Sequence, residues 1–252
     1  MKKAILLISL VLMGASTASA EDFERGVFNH LGANVAVGTE GIGVGVATSL
    51  TNYLELGFGV NIMPGIKVDG DVNIGAISTG IYTIPASKVK IEGNFARTTM
   101  DFKAHVYPFG GESKFYIAAG LSFGGEKMAK LTGHSDEIKK AIATYPLLRD
   151  QIYAEIDKYN VKFDSNGDVA GDVRVKKVRP YVGLGYGRLV PKSRVGFRFE
   201  LGCQFMGKMK VYQDDQEVDT SDLNKADDDL SKIIDKVKVY PVLKLVLTTR
   251  IL

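Results

Sequence analysis

The chain has 252 residues, with 32 Lys and Arg against 29 Asp and Glu, one cysteine and no tryptophan. Setting aside Lys2 and Lys3, which belong to a segment expected to be removed, leaves 30 basic residues against the same 29 acidic ones. That near-neutral balance gives no electrostatic footprint for nucleic acid, and the lone Cys203 rules out an internal disulfide framework.

Residues 1 to 20, MKKAILLISLVLMGASTASA, place Lys2 and Lys3 ahead of an apolar run from Ala4 to Met13 and finish on Ala18-Ser19-Ala20. This is the order of a secretory signal peptide cleaved after Ala20. The apolar run is shorter than the roughly 20 residues a membrane span needs. Residues 21 to 252 are expected to form one domain. That remainder holds no apolar run long enough for a transmembrane helix, so entry into a membrane requires a closed barrel.

Period-two alternation, the mark of a strand with unlike media on its two faces, recurs in eight segments. In chain order they are 31 to 38, 41 to 48, 53 to 62, 97 to 107, 115 to 124, 179 to 187, 195 to 207 and 242 to 251. One face of each is apolar, as in Leu54, Leu56, Phe58, Val60 and Ile62, or Leu243, Leu245 and Leu247. The other face is rich in Gly and charge. In the seventh segment, VGFRFELGCQFMG, the alternation sets Phe197, Phe199, Leu201 and Phe205 against Arg198 and Glu200. Cys203 falls with the apolar set and reads as a small buried hydrophobe. Most segments approach the roughly 9 to 11 residues with which a tilted strand crosses a bilayer.

The links alternate in length. Thr39-Glu40 makes a tight turn, and short links pass through Leu50-Thr51-Asn52, Pro108-Phe109-Gly110-Gly111 and Val190-Pro191-Lys192, whereas 63 to 96, 125 to 178 and 206 to 241 are long. Short turns at one end and long loops at the other are the asymmetry of an outer-membrane barrel. The sequence therefore predicts an all-β fold: an eight-stranded antiparallel up-and-down transmembrane β-barrel with three long, partly structured extracellular loops. The apolar face meets lipid and the Gly-and-charge face lines the lumen. Within the loops, Ser135-Asp136-Glu137 caps a helical stripe of Ile138, Ala141, Ile142 and Tyr145. Past Pro146, Ile152 and Ile156 continue it as a second short helix. Ser221 leads into another stripe, and Asn166-Gly167 reads as a hairpin turn beside Val169, Val173 and Val175.

The runs RPYVGLGYGRLVPKSRVGFRFELGCQFMG, YPVLKLVLTTRIL and FNHLGANVAVGTEGIGVGVAT resemble the small outer-membrane β-barrel proteins of Gram-negative bacteria. The resemblance implies an eight-stranded barrel inserted by the outer-membrane assembly machinery, frequently without an assigned activity. Such barrels usually end in an aromatic residue, where this chain has Leu252.

Eight charged residues fall on the inner face by alternation: Glu55, Arg97, Asp101, Lys103, Arg198, Glu200, Lys244 and Arg250. An eight-stranded barrel is just wide enough for side chains to fill it, and charges withdrawn from water need partners. A structural ion-pair network with negligible conductance is the expectation, and a narrow small-solute channel the alternative. His30, His105 and His134 are the bases open to a lipid-modifying enzyme. Ser135 is better explained as a helix cap and His105 as a hydrogen-bonded interior residue, so no catalytic residues and no cofactor are expected. The acidic run QDDQEVDTSDLNKADDDL and the Asp164-Ser165-Asn166-Gly167-Asp168-Val169 stretch read as solvated loops rather than metal sites, the latter lacking Gly and Glu at the places a calcium loop requires. Tyr53, Tyr107, Phe109, Tyr116, Tyr181 and Tyr240 are expected to supply interfacial belts. The expected location is the outer membrane, with lipid, lipopolysaccharide and the assembly machinery as partners, possible extracellular loop partners, and no nucleic acid. A soluble periplasmic lipocalin-like barrel, with the faces inverted, is the remaining alternative.

Overall fold

Every alternating segment becomes a strand of one closed sheet. The structure is a computed structural model that describes residues 24–74, 77–78, 83–84, 87–110, 113–146, 153–156, 159–218 and 238–252. The signal segment, the stripe after Ser221 and most of the acidic run lie outside the described residues. In chain order the elements are β1 (Leu31–Gly38), β2 (Gly41–Thr51), β3 (Leu54–Met63), β4 (Lys67–Ile74), β5 (Ile77–Ser78), β6 (Thr83–Ile84), β7 (Ser87–Asn94), β8 (Arg97–Val106) and β9 (Phe115–Gly124). They continue as β10 (Lys127–His134), α1 (Asp136–Thr144), β11 (Tyr153–Ile156), β12 (Tyr159–Lys162), β13 (Asp168–Arg174), β14 (Val178–Tyr186), β15 (Val195–Phe205), β16 (Lys210–Gln213), β17 (Gln216–Glu217) and β18 (Val239–Arg250).

The barrel order is β1-β18-β15-β14-β9-β8-β3-β2, an antiparallel meander of eight strands. It is closed by β1 against β18 in the register Gly32↔Arg250 to Gly38↔Lys244. Because side chains alternate across a strand, this register sorts them cleanly. Phe197 is 80% exposed and its neighbour Arg198 only 4%. The outward positions of the eight strands carry Leu, Val, Ile, Phe, Met, Ala, Pro, Tyr, Thr and Cys203, and no charged residue. Cys203 is half-buried on this outward face, not fully buried as expected, since a barrel's outer wall has no second protein layer to cover it.

The three long connections do not stay separate. Their strands join into a second sheet of eight, in the order β12-β11-β4-β7-β10-β13-β16-β17. It continues the barrel wall: Gly124 N–H donates to Lys177 C=O, Val175 N–H to Glu126 C=O, and Lys176 N–H to Met206 C=O. At this junction Met128, Val175 and Met206 form a small apolar cluster. The helix α1 packs Ile138, Ala141 and Ile142 of its predicted stripe with Val89, Val161, Phe163 and Val211 of this upper layer, whereas Tyr145, the fourth, is an exposed C-cap.

Two loop expectations need correction. Tyr153–Ile156 is a strand paired antiparallel with β12, not a helical continuation, because its backbone groups are satisfied by pairing with Tyr159–Lys162. Asn166-Gly167 does form a turn, with Gly167 at φ +74 and Asp164 Oδ1 accepting from Asn166 N–H and Asp168 N–H. The strand it launches pairs with β10 and β16 instead of folding back on β12, so the turn does not close a hairpin.

Candidate functional site in the barrel interior

Two charged centres occupy the interior. The first is built on Glu200, which β15 points inward beside Arg198. Its carboxylate accepts from Lys103 Nζ at 3.0 Å, Tyr181 OH at 2.7 Å and Tyr116 OH at 3.0 Å. His105 Nε2 and Arg198 Nη2 each lie 3.4 Å away. The second centre is Glu55, completely buried, which accepts from Tyr107 OH at 2.7 Å and Leu189 N–H at 2.8 Å. Arg188 and Arg25 come within 3.4 and 3.5 Å of the same carboxylate.

Toward the upper sheet a third set links Asp101, Lys244 and Glu40. Lys244 Nζ donates to Asp101 Oδ2 at 2.9 Å and to Asn61 Oδ1 at 3.1 Å, and pairs with Glu40. Asn61 Nδ2 also donates to Asp101, at 2.8 Å, and Gln204 bonds to both Glu40 and Ser122. Lys103 bridges this set to the Glu200 centre, 3.6 Å from Asp101.

Of the eight residues picked out by alternation, the fold thus joins Asp101, Lys103, Arg198, Glu200 and Lys244 in one connected network. Glu55 belongs to the separate centre around Arg188 and Arg25. Arg97 is half-buried with its guanidinium 4.9 Å from the centre of the Tyr240 ring. Arg250 is half-buried at the end of β18. Reading the sequence missed Arg25, Glu40, Arg188, Arg179, Asn61 and Gln204.

The tyrosines also need correction. Tyr107, Tyr116 and Tyr181 were expected at an interfacial belt, yet they are buried in the interior, at 0, 0 and 3% exposure. Each stands at the inward parity of its strand, and its hydroxyl satisfies a buried carboxylate that lysine and arginine alone leave with spare lone pairs. Room for the rings comes from facing glycines. A Cβ on Gly202 would lie 2.3 Å from Tyr181 Oη, closer than any side chain tolerates. Tyr53 and Phe109 are exposed, at 58 and 76%.

One cavity inside, of about 60 Å³, is bounded by Asn61, Asp101, Lys103, His105, Leu189 and Glu200. That is room for a few waters at most. The link between β14 and β15 folds into the barrel end, burying Leu189 and Val190 beside Ala47.

His105 is an interior residue that meets Glu200, and His134 lies in the upper sheet. His134 Nδ1 is 2.6 Å from Asp168 Oδ1, and its Nε2 is 3.3 Å from Asp136. The bond to Asp168, aided by Asp136, raises its pKa above the ordinary imidazole value. Ser135 Oγ instead accepts from Ile138 N–H at 3.3 Å, the cap expected of it. Among the described residues, no cluster of three or more His, Cys, Asp or Glu is arranged to hold a metal.

Fold and interior together define a class: a closed eight-stranded antiparallel β-barrel whose bore is packed with salt-bridged and tyrosine side chains. Two solved structures are similar to the chain at low identity. Acinetobacter baumannii CarO2 is 22% identical, covering 88% of this chain and 98% of that one, with a TM-score of 0.47. Acinetobacter baumannii CarO is 18% identical, covering 89% and 99%, with a TM-score of 0.48. No family model and no curated protein matches the chain.

Proposed function

We propose that this chain is an outer-membrane β-barrel with a filled bore, and that it acts as a structural and surface-presenting protein through the sheet built on its long connections. The observation that carries the reading is the outer wall, eight strands of outward positions without a single charge, against an interior holding the buried ions. Exposed apolar residues on a monomer are ordinary when scattered. A continuous belt is a surface that water does not cover. Ten-residue strands rising about 3.3 Å per residue and tilted about 40° give a band about 25 Å tall, the height of the apolar zone of such barrels. A soluble ligand-binding barrel needs the reverse sorting of faces.

On this reading the Glu200 and Glu55 centres brace the wall from within and leave no continuous bore for solute. The upper sheet is the part that meets the outside. Lipid and lipopolysaccharide surround the wall, and the assembly machinery inserts it.

The decisive experiment is fractionation of the native protein, with an alkaline carbonate wash and separation of inner from outer membrane. Retention in washed outer membrane is expected, and release as a soluble periplasmic protein overturns the reading. Planar bilayers containing the purified mature protein should show no steady conductance; stable open channels would return the bore to a transport role.

A further inference from the structure

We infer that the upper end of the bore binds a small inorganic anion of halide size, held by Arg179. The inference begins with charge. Among the described residues above the Glu55 centre, four buried cations, Lys103, Arg179, Arg198 and Lys244, face three buried carboxylates, Glu40, Asp101 and Glu200. Lys103 and Arg198 pair with Glu200, while Lys244 pairs with Glu40 and Asp101. Arg179 is the cation left over.

Its side chain is 1% exposed, and among the described residues neither Nε nor Nη2 has a hydrogen-bond partner. A guanidinium cannot shed its proton to escape burial, and leaving one unpaired in a low-dielectric interior is costly. The charges acting on it are Arg97, of like sign, and Glu40 and Asp101, both already engaged by Lys244. The position is also built. β14 sets Arg179 opposite Ser122 in register, and a Cβ at Gly124 would come 2.3 Å from its Nη2. A glycine there lets the guanidinium lie close against the neighbouring strand. Among the described residues nothing accepts from Nε or Nη2. A halide would supply what is missing: it brings one negative charge, needs no directed lone pair, and accepts from several donors at once. A bridging water brings no charge, and Asp101 Oδ1, which also lacks a hydrogen-bond partner, belongs to a carboxylate already paired with Lys244.

The test uses the purified mature chain folded in zwitterionic detergent, titrated with sodium chloride or sodium gluconate at matched ionic strength so that screening is equal. Gluconate is too large for the interior. Chloride should raise the temperature of half-unfolding by about 3 to 5 °C per tenfold increase above its dissociation constant, and gluconate should not. In Arg179→Gln the chloride response should vanish. A wild-type response identical in the two salts overturns the inference, as does a chloride response that survives in Arg179→Gln. Should that variant fail to fold, wild-type crystals grown in bromide settle the matter by anomalous scattering. A bromide peak within hydrogen-bonding reach of the Arg179 guanidinium is expected, and its absence there refutes the site.

Discussion

Replacing Glu200 by Gln keeps the shape of the side chain and removes the charge on which five groups converge. The amide oxygen can still accept from one of Tyr181, Tyr116 or Lys103, but its NH2 then faces donors that had an acceptor. Lys103 and Arg198, both nearly fully buried, lose their carboxylate. Removing one member of a buried pair typically costs about 3 to 5 kcal/mol. Asp101, 3.6 Å from Lys103, takes up part of the loss and places the expectation near the lower end, about 3 kcal/mol. Lys103→Met alone should cost less, because Glu200 keeps two tyrosines and an arginine. In the double variant the penalties should not add, leaving a coupling of about 2 kcal/mol. With no tryptophan in the chain, urea unfolding is best followed by the gel-mobility difference between folded and unfolded barrels. A loss below about 0.5 kcal/mol in Glu200→Gln, the range of an ordinary surface change, or strict additivity in the double variant, would refute the view of Glu200 as the hub.

Leu245→Arg puts a charge on the middle of the outer wall at a position 59% exposed. It should cost about 2 to 4 kcal/mol when folding into vesicles is measured, whereas a water-facing site would tolerate it. Ser135→Ala removes the acceptor for Ile138 N–H and should cost about 1 kcal/mol, seen as roughly fivefold faster amide exchange in α1 with the barrel midpoint unchanged. His134 has its folded-state pKa raised by Asp168 and Asp136. Its stabilisation is therefore complete below the unfolded value, about 6.5, and drains away as pH rises through the raised folded value. Exchange-rate measurements should show the β10 to α1 junction better protected at mild acid than at alkaline pH, after correction for intrinsic rates. His134→Gln should erase the difference, and an unchanged pH profile in that variant would remove His134 as its source.

The barrel was legible because period two survives intact where one face meets a single medium. All eight segments, the Thr39-Glu40 turn and the inward set of Asp101, Lys103, Arg198, Glu200 and Lys244 follow from that parity alone. The same parity places Tyr116, Tyr181, Arg179, Asn61 and Gln204 inside. It was overruled for the tyrosines by a compositional expectation about belts. Arg25, Glu40 and Arg188 are different: they lie outside the regular strands and turn inward only because a charge already waits there. No local pattern encodes that choice. The upper sheet was hidden for a related reason. Its strands are short, and their partners come from three distant connections, so what pairs β10 with β13 and β7 is closure of the barrel beneath them.

Sharing one sheet ties the fates of the three long connections together. A substitution on β13 must suit partners on β10 and β16 at once, so these segments drift as a set, whereas free-hanging loops drift alone. Latitude is left to the tips outside the strand pairing. Asp214 and Asp215, both at positive φ between β16 and β17, form such a tip, from which Asp215 reaches back to Arg174 of β13 in an ion pair. A foreign peptide spliced there would be displayed at the margin of the sheet, while the same peptide spliced into β7 would pull apart strands contributed by two connections.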